Sequence, residues 1–199
     1  MILPATPTKP RQKTKAATAR QDILAVAARK MRQTGYSDMS LRDLATEVGM
    51  KAGSLYYHFA SKDALATEVM CLGVEVVQQA VQTALAKQPD STARDRLIIA
   101  MHVHIETLLS ESDFSSAHIR CYPFVPDTVR NELTTVRKSY DKDWNDLICA
   151  FLDKPAEAAE VRHLRHALLG ALNWSLEWFD PSRDDINAYV KSLAHLLPE

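Results

Sequence analysis

The chain has 199 residues, 46% of them hydrophobic and 25% charged, the balance of a soluble globular protein of one large domain or two small ones. Apolar runs are short and interrupted, so no membrane span is expected, and the opening MILPATPTKPRQKTK lacks the apolar stretch of a secretory leader. Three scattered cysteines (Cys71, Cys121, Cys149) without CxxC spacing argue for a reducing compartment, the cytoplasm, and against a disulfide framework. The net charge of −1 conceals an asymmetry: residues 1–70 hold 11 Lys/Arg against 6 Asp/Glu, and residues 71–199 hold 13 against 19. A basic N-terminal third suggests that one end meets a polyanion. A plain basic tail would give the same figure, because Lys9, Arg11, Lys13, Lys15 and Arg20 all precede the first acid.

With only 5 glycines and no NG or DG signal, β-hairpins are not expected. Residues 1–16, with Pro4, Pro7 and Pro10, read as a disordered basic tail. Helical spacing begins near residue 17 with Leu24, Ala27, Ala28 and Met31 on one face, and Gly35 stops that helix. Ser40 caps a short helix carrying Leu41, Leu44, Ala45 and Val48, with Asp43 in capping-box position and Gly49 at its end. A second short helix spans about 52–59. Ser61 then caps a long one running to about 87, before Pro89-Asp90-Ser91. Further helices are expected over about 91–109, 116–121, 127–152, 156–179 and 183–197. The pattern is all-α, about nine helices: a helix-turn-helix domain over 17–65 and a larger helical domain over 66–199.

The segment SLRDLATEVGMKAGSLYYHF carries the chemistry. Two short helices around a glycine turn make a helix-turn-helix, whose second helix must be small at its start to enter a major groove about 12 Å wide. Lys51, Ala52, Gly53 and Ser54 stand at that start. Tyr56, Tyr57 and His58 offer polar tips on rigid bodies for phosphates and base edges, and Lys62 heads the next helix, where a phosphate can be held. Any two short helices around a glycine would look similar, and YYHF could be core. The longer stretch decides between these readings. Arg20, the IL-x-x-AA of Ile23 to Ala28, Gly35-Tyr36, Gly53-x-Leu55-Tyr56-Tyr57-His58-Phe59 and Ser61-Lys62-Asp63 together resemble the N-terminal domain of the TetR family of repressors.

That resemblance implies a homodimer, each N-terminal domain placing its second short helix in a major groove of a palindromic operator. It implies phosphate contacts at Ser40, Arg42, Tyr57 and Lys62 and groove contacts at Tyr56 and His58. Leu55 and Phe59 are assigned to packing. Lys51-Ala52 departs from the usual pattern, in which Ser or Thr precedes a Lys or Arg, so the operator bases do not follow. The tail either reaches a minor groove or merely solubilises the end.

The resemblance further implies that residues 66–199 bind a ligand and dimerise, with 156–179 and 183–197 forming the dimer surface. Ala167, Gly170, Ala171 and Ser175 give small residues for close helix approach; an ordinary intramolecular core is the other reading. LLGALNWSLEWFDP is similar to the C-terminal segment of TetR-like regulators that answer to acyl-CoA thioesters. A CoA thioester needs an apolar slot and cations for its phosphates, and Arg120, Arg137, Tyr140, Trp144, Trp174 and Trp178 are the candidates. The alternative effector is a hydrophobic drug-like compound, as for a repressor of an efflux system.

No catalytic residue, resident cofactor or metal is expected. HExxH, GxGxxG, GxxxxGK[ST] and GxSxG patterns are absent. His102 and His104 lie two apart and diverge on a helix, and His163 and His166 lack ligand partners at metal spacing. An all-helical enzyme or carrier is the competing class, without support from convergent titratable groups.

Overall fold

Polar side-chain caps set four of the ten helix starts among the described residues. A computed structural model describes residues 15–110 and 113–198, and within them Ser40, Ser61, Thr92 and Asp185 each accept the backbone N–H three residues on. The helices are α1 (Lys15–Asp38, broken at Gly35), α2 (Leu41–Glu47), α3 (Ala52–His58), α4 (Lys62–Ala86), α5 (Ala93–Leu109), α6 (Asp113–Cys121), α7 (Asp127–Glu132), α8 (Thr134–Leu152), α9 (Ala159–Trp178) and α10 (Ile186–His195). A 3-10 turn, Tyr122–Phe124, joins α6 to α7. Among the described residues there is no strand. Most of the tail assigned to residues 1–16 lies outside the described residues.

Two differences from the sequence reading have physical causes. The single helix expected over 127–152 is α7 and α8, divided at Leu133. Leu133 keeps right-handed helical angles and is fully buried, so the helical spacing runs through the break. No membrane span was expected, yet α4 is long and apolar enough by length and composition to cross a bilayer. Its apolar residues are spent in the protein interior instead: Leu65, Val69, Met70, Val74, Val77 and Val81 are buried.

Those residues divide between two cores. The first joins α1, α2, α3 and the start of α4 through Ile23, Leu24, Met31, Leu44, Leu55 and Phe59, and is completed by Ala117, Cys121, Val125, Val129 and Leu133 from α6, α7 and their connections. The second joins the far half of α4 to α5, α8, α9 and α10 around Met101, Ile105, Trp144, Ile148 and Leu172. α4 threads both. Where it passes from one to the other, α6 crosses it at Gly73.

Candidate nucleic-acid interface and effector cavity

The turn between α2 and α3 is closed by main-chain hydrogen bonds. Gly49, at φ 74°, follows Val48, the C-cap of α2. Its N–H donates to Thr46 O (3.0 Å), and the Met50 N–H donates to Ala45 O (2.8 Å). This pair of hydrogen bonds is the Schellman ending, and it needs a left-handed residue where Gly49 stands. Leu44, Ala45, Leu55 and Phe59 anchor the pair inward. α3 therefore turns the rest of its surface outward: Lys51, Gly53 and Ser54 are exposed, Tyr56 is 55% exposed and Tyr57 85%. Among the described residues Arg42 and Lys51 make no ion pair, whereas Arg29 and Lys30 are held by Glu47 on the α1 side.

Lys62 is differently placed from the other candidates. Its ammonium donates to Ser37 O (2.8 Å) and lies 4.4 Å from the centre of the Tyr36 ring. Tyr36 in turn donates to Asp63, and burial together with that carboxylate pushes its phenol up to about 12. Lys62 thus ties the end of α1 to the start of α4. Arg20 binds Glu68 of α4 and stacks on Phe59, 4.5 Å from the ring centre. Ser40 is half-buried and spends its hydroxyl as the cap of α2, and the His58 ring stands edge-on to Tyr57.

A second feature lies in the larger domain. A cavity of about 80 Å3 opens between α4, α5, α6, α8 and α9, with Val74, Val77, Leu108, Ile119 and Leu169 as its apolar wall. His104, 3% exposed, spans it: one ring nitrogen meets the Tyr140 hydroxyl at 2.8 Å and the other Asn173 Oδ1 at 3.0 Å. Burial lowers His104 to about 4 and raises the Tyr140 phenol. His118 is also buried and neutral, lowered to about 3 by burial first and then by the charge of Arg137. Arg137 donates to it at 3.1 Å and lies 3.8 Å from the centre of the Tyr122 ring.

Ile119 and Asn173 also line a shallower outer pocket with Arg120, Gly170, Trp174 and Glu177. The six ligand candidates therefore separate. Arg137 and Tyr140 line the inner cavity, and Arg120 and Trp174 line the outer one. Trp144 stands behind the inner wall, fully buried and edge-on to His104 and Tyr140. Trp178 lines neither pocket and packs edge-on against Tyr189. Sequence reasoning missed His118, Asn173 and Gly73, which only the helix crossings bring to the cavity. It set His104 aside as half of a metal pair; His102 does point elsewhere, to Asn187 at 2.9 Å. No cluster of three metal-binding side chains occurs among the described residues.

Residues 23–69 match the family described as "Bacterial regulatory proteins, tetR family", and residues 90–194 match the "Tetracyclin repressor-like, C-terminal domain". The chain is 36% identical over 69 residues to the HTH-type transcriptional repressor KstR2 of Mycolicibacterium smegmatis, a match covering 35% of this chain and 31% of that one. It is 28% identical over 94 residues to the probable acrEF/envCD operon repressor of Escherichia coli, covering 46% and 43%. The chain thus spans less than half the length of these curated relatives. The solved structure of AibR in complex with isovaleryl coenzyme A and operator DNA superposes with a TM-score of 0.75 at 20% identity, covering 90% of this chain and 97% of that one, a likeness of fold. With the second match alone extending over residues 90–194, more than half of its length, the chain belongs to the TetR family of bacterial regulatory proteins.

Proposed function

We propose that the protein is a transcriptional repressor that binds a palindromic operator as a homodimer in the cytoplasm, and that an acyl-CoA thioester taken into the α4–α9 cavity changes its hold on DNA. The observation that carries the DNA half is the outward face of α3, with Tyr56 and Tyr57 in solvent, together with exposed Lys51 at its start and exposed Arg42 on α2, neither in an ion pair among the described residues. Phosphates and base edges satisfy such a face. The dimer half is supported by the outer face of α9, where exposed Ala167 and Gly170 flank Trp174, 66% exposed, with Leu196, 80% exposed, just beyond α10. Covering these apolar groups with a second copy removes them from water.

The effector half is supported by the cavity, by the outer pocket that shares Ile119 and Asn173 with it, and by the relative solved with isovaleryl coenzyme A and operator DNA. If effector and DNA compete, the coupling is reciprocal: each weakens the other by the same factor. The test is selection of duplexes from a random pool, followed by affinity measurement with and without CoA thioesters. A selected palindrome released by a thioester is the expected result. Failure to enrich any duplex would overturn the DNA reading. Release by hydrophobic cations but by no thioester would move the effector to the drug-like class of an efflux repressor.

A further inference from the structure

Resting on the reading of an effector cavity, the chamber's own size and polarity restrict what can enter it. Its volume is about 80 Å3. Apolar cavities of roughly 150 Å3 admit a benzene ring, so this smaller one takes at most a group of about six non-hydrogen atoms.

Its free polar groups are donors. His104 is neutral, donates from Nε2 to Asn173 Oδ1 and accepts the Tyr140 proton at Nδ1. That arrangement occupies the Asn173 oxygen and leaves its N–H groups unused. Arg137 gives one N–H to His118, and among the described residues its other N–H groups carry no hydrogen bond. Asp141, four residues further along α8, lines the same chamber and stands 3.9 Å from Arg165. One guanidinium and one carboxylate leave the wall with no net charge. An uncharged carbonyl oxygen, which only accepts, suits these donors. A free carboxylate would gain Arg137 but face the like charge of Asp141 in the same lining, whereas a neutral carbonyl meets the donors without that repulsion.

The geometry points to a compact, uncharged, carbonyl-bearing group, the size of a short or branched acyl chain, as the occupant of the inner chamber. Its oxygen lies on the N–H groups of Arg137 and Asn173, and any larger remainder of the ligand lies beyond Ile119 and Asn173 in the outer pocket beside Arg120 and Trp174.

The experiment is calorimetry of the full chain with acetyl-, butyryl-, isovaleryl-, octanoyl- and palmitoyl-CoA, the matching free acids, and isovaleramide as a small uncharged probe without CoA. Butyryl- and isovaleryl-CoA are expected to bind about tenfold or more tighter than palmitoyl-CoA and than any free acid. Leu169→Ala, which removes a half-buried wall side chain, moves the preference toward octanoyl-CoA. Arg137→Gln weakens the short thioesters about tenfold while duplex affinity is retained. Tightest binding of palmitoyl-CoA overturns the compact-group inference and leaves the thioester reading standing. Binding of isovaleramide but of no thioester does the reverse. Free acids binding as tightly as thioesters overturn the uncharged-carbonyl assignment, and no binding by any of the probes overturns both readings.

Discussion

Gly73 and Phe114 meet backbone to side-chain position: a Cβ on Gly73 would lie 2.3 Å from the Phe114 carbonyl oxygen. The Ser115 hydroxyl donates to Gly73 O at 3.1 Å beside it. No flexible side chain is available to give way, so α4 and α6 must separate to admit a methyl group. Gly73→Ala is expected to destabilise the protein by about 1–3 kcal/mol, read as a lower denaturation midpoint in urea. An unchanged midpoint would show that the two helices are not held at this spacing.

Gly53 behaves in the opposite way. It sits in the first turn of α3 with nothing within 4 Å of an added Cβ. Gly53→Ala is expected to stabilise the free protein by up to about 1 kcal/mol through helix propensity. It should also weaken duplex binding, because the first turn of α3 is where the groove is closest. Stability and DNA affinity moving in the same direction would argue against α3 as the reading helix.

Tyr57→Ala removes a side chain that is 85% exposed, so stability should change by less than about 0.5 kcal/mol. Duplex affinity should fall for all sequences alike, as for a phosphate contact. Lys51→Ala should reduce the slope of log affinity against log salt by about one. Filter binding over a series of salt concentrations reads both.

Lys62→Ala separates the phosphate contact that the family resemblance implies from the structural tie to Ser37. Its ammonium is bonded to Ser37 O at 2.8 Å, and losing that bond should cost about 1 kcal/mol of stability. Its effect on the salt slope is expected to be smaller than that of Lys51→Ala. An equal drop in slope would mean that the ammonium leaves Ser37 for a phosphate when DNA binds.

The buried histidines set a pH dependence. Both have folded values below the ordinary 6.5, His104 about 4 and His118 about 3, so the unfolded chain takes up protons first as the pH falls. Their contribution is complete above about pH 6.5 and is lost progressively toward pH 4, by about 1.4 kcal/mol per pH unit for each histidine. Urea midpoints between pH 4 and 7 should show this slope, and His104→Gln should roughly halve it.

The helix-turn-helix was legible because its determinants are local. Ser40, Gly49 and Ser61 lie at the ends they define, and Leu44, Leu55 and Phe59 have the spacing of an inward face. The cavity was only half legible. Arg137 and Tyr140 stood out as a cation and an aromatic on one helix, whereas His118 and Asn173 gain meaning from α6 and α9 meeting around them. Trp144 looked like a ligand contact because composition cannot separate a wall from what stands behind it. α6 was expected from residue 116 and begins at Asp113. Its early serines are buried against α4, with Ser115 bonded to Gly73, and a polar string in sequence looks like a loop until its acceptor is known. The Lys62–Ser37 tie joins residues 25 apart and left no local sign.

The core beneath α2 and α3 is not closed by residues 17–65. Ala117, Cys121, Val125, Val129 and Leu133 complete it, and the buried Cys121 thiol donates to Met31 O at 3.3 Å. A reading head excised at residue 65 would expose that apolar underside. Grafting this head onto another member of the family would succeed only if α6 and α7 travelled with it, or if the host supplied side chains of matching volume. The natural module for exchange is therefore discontinuous: an N-terminal segment plus a strap from the middle of the chain.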